Sequence, residues 1–351
     1  MSGPTVADLG EDALLARVFP LLPVGAWTRL GPGDDAAVVA APDGQVVVTT
    51  DVLVEGRHFR LDWSSGEDVG WRAAVQNLAD VAAMGAAPTA LVVALAVPSS
   101  TPVAWVEGLS GGLAAACPDG VGVVGGDLSG GEQVVVSVTA FGDLGGRAPV
   151  LRSGARPGDV VAHAGVRGRS AAGYAWLAAG REVPGPDLGD PAGSPRADDA
   201  SRVGTGDLAA AVTAVVRGFR CPVSPLASGP AAAEAGASAM LDVSDGLLRD
   251  AGRLARASGV VIDLDPPEVV FAEDLSALGP VAAALGADAR AWVLGGGEDH
   301  GLLATFPADA EPPAPFRRIG RVHAAGAQPA GSVTVAGRPP SAPVGWDHFR
   351  R

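Results

Sequence analysis

Short apolar runs closed by glycine, proline or aspartate punctuate the chain along its whole length. Residues 13–19 carry the spacing of a short amphipathic helix. Two runs follow, AAVVAA and QVVVTTDVLV, on either side of PDG, and this pattern predicts a β-hairpin. In DVGWRAAVQNLADVAAMG, Trp71, Val75, Leu78 and Ala82 recur at helical spacing, and Gly85 closes the stripe. TALVVALAVP then reads as a strand, TPVAWVEGLSGGLAAAC as a helix, and VGVVGG and QVVVSVTAFGDL as two more strands.

The proline- and glycine-bearing segment RSGARPGD separates this first half from a second. There, VVAHAG, SAMLDV and VVIDLD read as strands, RSAAGYAWLAAG, residues 207–217 and GLLRDAGRLARASG as helices. Further strands are expected around WVLGGG, GLLATF and SVTVAG, with EPPAPF a loop. Residues 183–207 are poor in apolar side chains and read as a surface insertion. Alternating strands and helices predict an α/β fold, α+β-like, in two domains at 1–150 and 151–351. No short-period repeat points to a solenoid.

Composition sharpens this. Hydrophobic residues make up 48% but aromatics only 5%, so alanine, valine and leucine must build the core. A net charge of −14 argues against a nucleic-acid partner. All 25 basic residues are arginine. Without lysine there is no G-x-x-x-x-G-K-[ST] loop, no protein-kinase strand lysine and no Schiff-base chemistry. Cys117 and Cys221 stand far apart, which suits a reduced, cytoplasmic protein. The N-terminus lacks the form of a signal peptide, and ALVVALAVP is too short to span a bilayer, so no membrane association is expected.

The acids gather in unusual places. Asp34 and Asp35 follow a Gly-Pro-Gly, and Asp51 sits in a valine- and threonine-rich strand after Thr49 and Thr50. Asp80 shares a mostly apolar helix. Asp127 follows Gly125-Gly126 at a strand end, Asp242 and Asp245 end another strand, and Glu298 and Asp299 follow three glycines. In open α/β sheets such strand ends line the ligand crevice. Converging carboxylates repel by roughly 4 kcal/mol per pair at ~4 Å and an effective dielectric of 20, so a cation is needed. All-oxygen donors near phosphates suit Mg²⁺. Taken alone, GDD and SDG read as turns or helix caps before they read as a metal site, Asp80 as a solvated helix residue and Asp127 as a strand exit; Asp51, in a strand, fits an ordinary reading least. Asp250 reads as an ordinary first-turn helix acid. Of five histidines, His163 reads as core, whereas His58 and His300 lie near acidic motifs. Zinc-site and nucleophile-elbow spacings do not occur.

The segments GPGDDAAVV (31–39), TTDVLVEGRHF (49–59), NLADVAAMGA (77–86), GGDLSGG (125–131), LRSGARPGD (151–159), LDVSDGLLRD (241–250), GGGEDHGLL (295–303) and GWDHF (345–349) run in one order over almost the whole chain. The chain resembles the thiamine-monophosphate kinases of the aminoimidazole-ribonucleotide-synthetase-like superfamily. TTDVLVEGRHF, NLADVAAMGA and the final WDHF mark that kinase among its relatives. The resemblance implies an N-terminal α/β domain that dimerises through β-strands, a C-terminal α/β domain, and a cytoplasmic homodimer. It implies transfer of the ATP γ-phosphoryl group to thiamine monophosphate, with several Mg²⁺ ions. Asp35, Thr49, Thr50, Asp51, Asp80, Asp127, Asp242 and Asp245 match the metal-binding residues. Gly126, Asp127, Arg152 and Ser244 match ATP contacts; His58, Glu298 and Trp346 match thiamine phosphate contacts. No residue is expected as a general base. The family usually reads GGEDYEL where this chain has GGEDHGL, so His300 and Gly301 replace a tyrosine and an acid. The nearest rivals are other ATPases of the superfamily, among them the hydrogenase-maturation dehydratase, and a non-catalytic nucleotide-binding protein of the same fold.

Overall fold

The computed structural model describes residues 3–32, 36–184, 207–341 and 345. They fall into two compact units. The first holds the described residues through Val81 together with Ala86–Arg147; the second holds Ala82–Gly85 and the described residues from Ala148 onward.

The first unit opens with α1 (Val6–Leu9) and α2 (Glu11–Val18), then β1 (Thr28–Leu30) and β2 (Val38–Val39). Its main elements are β3 (Val47–Val54), α3 (Gly66–Ala83), β4 (Ala87–Val97), α4 (Val103–Ala116), β5 (Gly122–Gly130) and β6 (Val135–Asp143). The four long strands form one sheet in the order β3-β6-β4-β5. Only β4 and β5 pair in parallel, through the crossover helix α4. On β6, buried and half-buried residues alternate along all nine positions, as expected of a strand with one covered face. Helix α3 starts at a reciprocal cap, in which Ser65 N donates to Asp68 Oδ2 and Asp68 N to Ser65 Oγ. Its Ala74, Leu78, Ala79 and Val81 are fully buried.

The hairpin expected around PDG does not form. The turn itself is present: Gly44 has φ 74°, its N–H reaches Ala41 O, and Asp43 Oδ1 accepts from Gln45 N. Yet β2 pairs with β1 over two residues, whereas β3 pairs with β6 over eight. A local turn signal carries no information about a partner 80 residues on that offers the longer register.

The second unit is built on a six-stranded sheet. Its strands are β7 (Val160–Ala164), β8 (Ala239–Val243), β9 (Val260–Leu264), β10 (Gly301–Phe306), β11 (Arg317–Ala324) and β12 (Val333–Val335). The order is β12-β9-β11-β7-β10-β8, antiparallel except between β12 and β9. Every residue of β7, β8 and β10 is buried, so these strands read as continuous apolar runs. The helices are α5 (Arg169–Ala178), α6 (Leu208–Arg220), α7 (Ser228–Glu234), α8 (Leu247–Ser258), α9 (Pro267–Val270), α10 (Ala272–Leu285) and α11 (Ala289–Gly295).

Three expectations need correction here. WVLGGG is not a strand: its first four residues end α11, which Asp288 caps by accepting from Arg290 N, and Gly296 and Gly297 follow as loop. Its short apolar run fits either state, and the cap upstream decides. Helices α7, α9 and α10 and strand β11 were not read at all; β11 is the arginine-rich RRIGRVHA. Finally, Asp127 is inside β5 rather than at its end. Residues 185–206 of the expected insertion lie outside the described residues.

Candidate functional site

In the first unit, Thr49 and Asp51 stand two apart on β3 and so share a face of the strand. Thr49 Oγ1 donates to Asp80 Oδ2 on α3 at 2.9 Å. A hydroxyl and a carboxylate thus meet across a strand–helix contact, with Asp51 on the same face of β3 as Thr49. Thr50, one step along, turns its hydroxyl to Val138 O at 3.0 Å and receives one from Thr139. The register aligns Asp51, Val138, Val93 and Gly126 in one row, and Val52, Ser137, Ala94 and Asp127 in the next. Asp127 is exposed and accepts from Ser129 Oγ at 3.0 Å. His58 Nδ1 accepts from Val54 N at 3.0 Å, which puts the proton of the neutral ring on Nε2.

A cavity of about 140 Å³ opens beside Gly126 and Asp127. Its walls are apolar, with Leu14 and Val18 from α2, Leu109 and Leu113 from α4, and Val93 and Val123 from the sheet.

In the second unit, Asp242 lies near the end of β8, paired with Leu302 of β10, and Ser244 and Asp245 follow on the turn into α8. Gly246, at φ 117°, allows that turn; a side chain there would strike Gly295 O. Glu298 N donates to Ser244 O at 2.8 Å, so the turn and the glycine loop at 295–299 are joined through their backbones. Gly345 also lies against Asp245 O and Arg249.

Asp250 stands in the first turn of α8, as expected, but its carboxylate is buried rather than solvated. It is 1% exposed. Its Oδ2 accepts from Asp245 N at 2.9 Å, and its Oδ1 from Arg253 Nη1 at 2.6 Å. Arg253 Nη2 in turn donates to Asp245 Oδ2 at 2.5 Å. Burial pushes the Asp250 carboxyl up to about 6, against the pull of Arg253. The amphipathic period of α8 carries the only sequence signal for this ring, since Asp250 and Arg253 are one turn apart.

Arg152 is held by its loop. Ser258, the last residue of α8, donates its hydroxyl to Arg152 O at 3.0 Å and accepts from Gly154 N and Ala155 N. Nothing in the sequence marked Ser258. Asp35 and Trp346 lie outside the described residues. Among the described residues, no group of three or more His, Cys, Asp or Glu side chains could by itself hold a metal ion.

The N-terminal domain model of AIR synthase related proteins matches residues 33–144. Thiamine-monophosphate kinase of Mycobacterium tuberculosis is 46% identical over 347 residues, covering 99% of this chain and 93% of its own length. The Corynebacterium glutamicum enzyme of the same name is 41% identical, covering 99% and 96%. Among solved structures, the thiamine monophosphate kinase of Aquifex aeolicus superposes with a TM-score of 0.69 at 30% identity, covering 84% of this chain and 89% of that one. AaThiL complexed with AMPPCP and TMP gives 0.71 at 31%, covering 90% and 91%. A hydrogenase maturation protein, HypE, reaches 0.66 at 20% identity, a likeness of fold alone. With both halves of the chain matched by relatives well above 30% identity, this chain belongs to the thiamine-monophosphate kinase family.

Proposed function

We propose that this chain transfers the γ-phosphoryl group of ATP to the phosphate of thiamine monophosphate, giving thiamine diphosphate and ADP, with Mg²⁺ held by its carboxylates. The observation that carries this reading is identity over nearly the full length with kinases named for that substrate. A related structure bound to AMPPCP and TMP supports the same pair of ligands. The acceptor is already an anion, with a second phosphate pKa of about 6, so no general base is required. The bond between the γ-phosphorus and the β-bridging oxygen breaks as an acceptor oxygen attacks in line, and ADP leaves with the electron pair.

The donors fit the metal. Thr49, Asp51 and Asp80 offer hard oxygens only, and Mg²⁺ takes one or two carboxylates and completes its shell with water and phosphate oxygens. Asp35, Thr49, Thr50, Asp51, Asp80, Asp127, Asp242 and Asp245 are the residues proposed to hold several such ions. When bound, the ions would neutralise the charge of the two anionic reactants. Arg152 supplies fixed positive charge in a chain without lysine. Gly126, Asp127 and Ser244 are proposed to contact ATP, and the apolar cavity beside Gly126 suits a purine base. His58, with Nε2 protonated, is a donor for the thiamine phosphate oxygens. Glu298 and Trp346 are proposed to contact its cationic ring, which an acid and an aromatic face both favour. We further propose a cytoplasmic homodimer; among the described residues no helix is long and apolar enough to cross a membrane.

The test is direct. Incubation with ATP, Mg²⁺ and thiamine monophosphate is expected to yield thiamine diphosphate and ADP in equal amounts. ADP without thiamine diphosphate would instead favour another ATPase of the superfamily, and neither product a binding protein.

A further inference from the structure

Arg167 is a fully buried arginine just ahead of α5. A guanidinium is not placed in a core without compensation. Its Nε donates to Val293 O at 3.3 Å, and its Nη2 donates to Gly296 O. Its Nη1 lies 3.5 Å from Asp299 Oδ2. Its backbone N donates to Asp274 Oδ1, and Asp274 Oδ2 accepts from Arg317. Asp299, 2% exposed, also accepts from Gly168 N at 2.6 Å, at the N-cap of α5, and from Ser170 N at 2.8 Å, in its first turn. The side-chain bonds of Arg167 and Asp299 end on Val293 O of α11, on the glycine loop and on the start of α5, and the Arg167 backbone is tied to Asp274 of α10.

The loop so held is strained. Glu298 has φ 67° and His300 φ 52°, both left-handed without being glycine. Such backbone is disfavoured for a residue that carries a Cβ and persists only where its surroundings over-determine it. The strain has a geometric result. The residues on either side of Asp299 are turned to different tasks. Glu298 N–H joins Ser244 O, and His300 Nδ1 lies 3.4 Å from Asp242 Oδ2.

From this geometry we infer that Arg167 and Asp299 are positioning residues. Together they clamp the 295–300 loop so that Glu298 is aimed at the acceptor substrate and His300 at Asp242. The inference rests on the reading of Glu298 as a substrate contact. Arg167 touches no reactant; it acts through Val293 O of α11 and through one carbonyl and one carboxylate of the loop. Lysine cannot replace it, because a point charge cannot reach both Val293 O and Gly296 O while facing Asp299.

The experiment uses the full chain with Arg167→Lys and the double variant Arg167→Met/Asp299→Asn. Removing both charges together avoids leaving one buried and unpaired. The expected result in each folded variant is a KM for thiamine monophosphate raised on the order of tenfold, the scale of a small misplacement, with the KM for ATP unchanged. Hydrogen exchange of peptides covering 295–301 is expected to quicken as well. A merely structural role would lower the active fraction without splitting the two KM values. Folded variants with parental KM values and parental exchange would overturn the inference. Glu298→Gln separates the two readings. If it leaves the KM for thiamine monophosphate unchanged while the clamp variants still loosen the loop, the role given to Glu298 falls and the clamp stands.

Discussion

His163 lies in the middle of β7 with no exposure, and neither ring nitrogen has a hydrogen-bond partner among the described residues. Burial, then Arg167 and Arg317, hold its pKa well below the usual 6.5. Below pH ~6.5 the unfolded chain binds a proton that the folded chain refuses, so unfolding gains as pH falls. This contribution to stability is complete above that pH and is lost as pH drops towards the folded-state value. The slope is at most about 1.4 kcal/mol per pH unit for one group. His163→Leu is expected to remove this slope. Denaturant unfolding of parent and variant between pH 5 and 7 checks it, and parallel profiles would contradict the argument. Asp245 poses the opposite balance. Its ion pair with Arg253 is partly exposed, so Asp245→Asn should cost about 1 kcal/mol of stability or less. Turnover should fall by far more, on the order of 100-fold, if the carboxylate holds metal. Unchanged turnover in the assay with ATP and thiamine monophosphate would remove Asp245 from the metal set.

Helices α3 and α4 show what glycine spacing does at the next scale. A side chain at Gly70 would collide with Leu109 O, and one at Gly112 with Glu67 O. The two helices therefore touch backbone to backbone. Gly111 lies in the same helix as Gly112 but has nothing within 4 Å of an added Cβ. Gly70→Ala is expected to destabilise the fold by about 2–3 kcal/mol through overpacking. Gly111→Ala should stabilise it by about 0.5–1 kcal/mol through helix propensity. Shifts of the urea midpoint in opposite directions are the readout. Sequence pattern found α3 and α4 but not this contact, because periodicity reports which face is apolar and not how near two axes come. The same division runs through the molecule. Buried strands such as GLLATF were plain, since local composition determines them. Partner choice for β3 was not, and neither was the helix at WVLGGG. Among candidate site residues, Asp51 and Asp80 stand out as acids in apolar elements, whereas Thr49 enters only through the family resemblance. Asp250, Arg253, Arg167 and Ser258 were missed, because their work is done through partners distant in the chain or hidden by an ordinary helix pattern.

The whole molecule turns on a face that its own fold leaves bare. β3 is an edge strand, and its Val48 and Val52 are 58% and 44% exposed. They point to one side, together with Thr50, away from the buried Leu53. Beside them the register places Phe141, Thr139 and Ser137 of β6, all half-buried. A long edge strand bearing apolar side chains is a template for association unless something covers it. The net charge of −14 opposes non-specific clustering of copies, so any contact here must be specific. A second copy of the chain presenting the same face meets that need, since a two-fold contact is self-complementary. We propose this face as the seat of the homodimer. Val48→Asp/Val52→Asp would set four carboxylates against each other across a two-fold axis, while in a monomer the same side chains would simply point into water. Light scattering after gel filtration is expected to give a dimer for the parent chain and a monomer for this variant, with the circular dichroism of both the same. A variant that remains dimeric would move the interface elsewhere on the molecule.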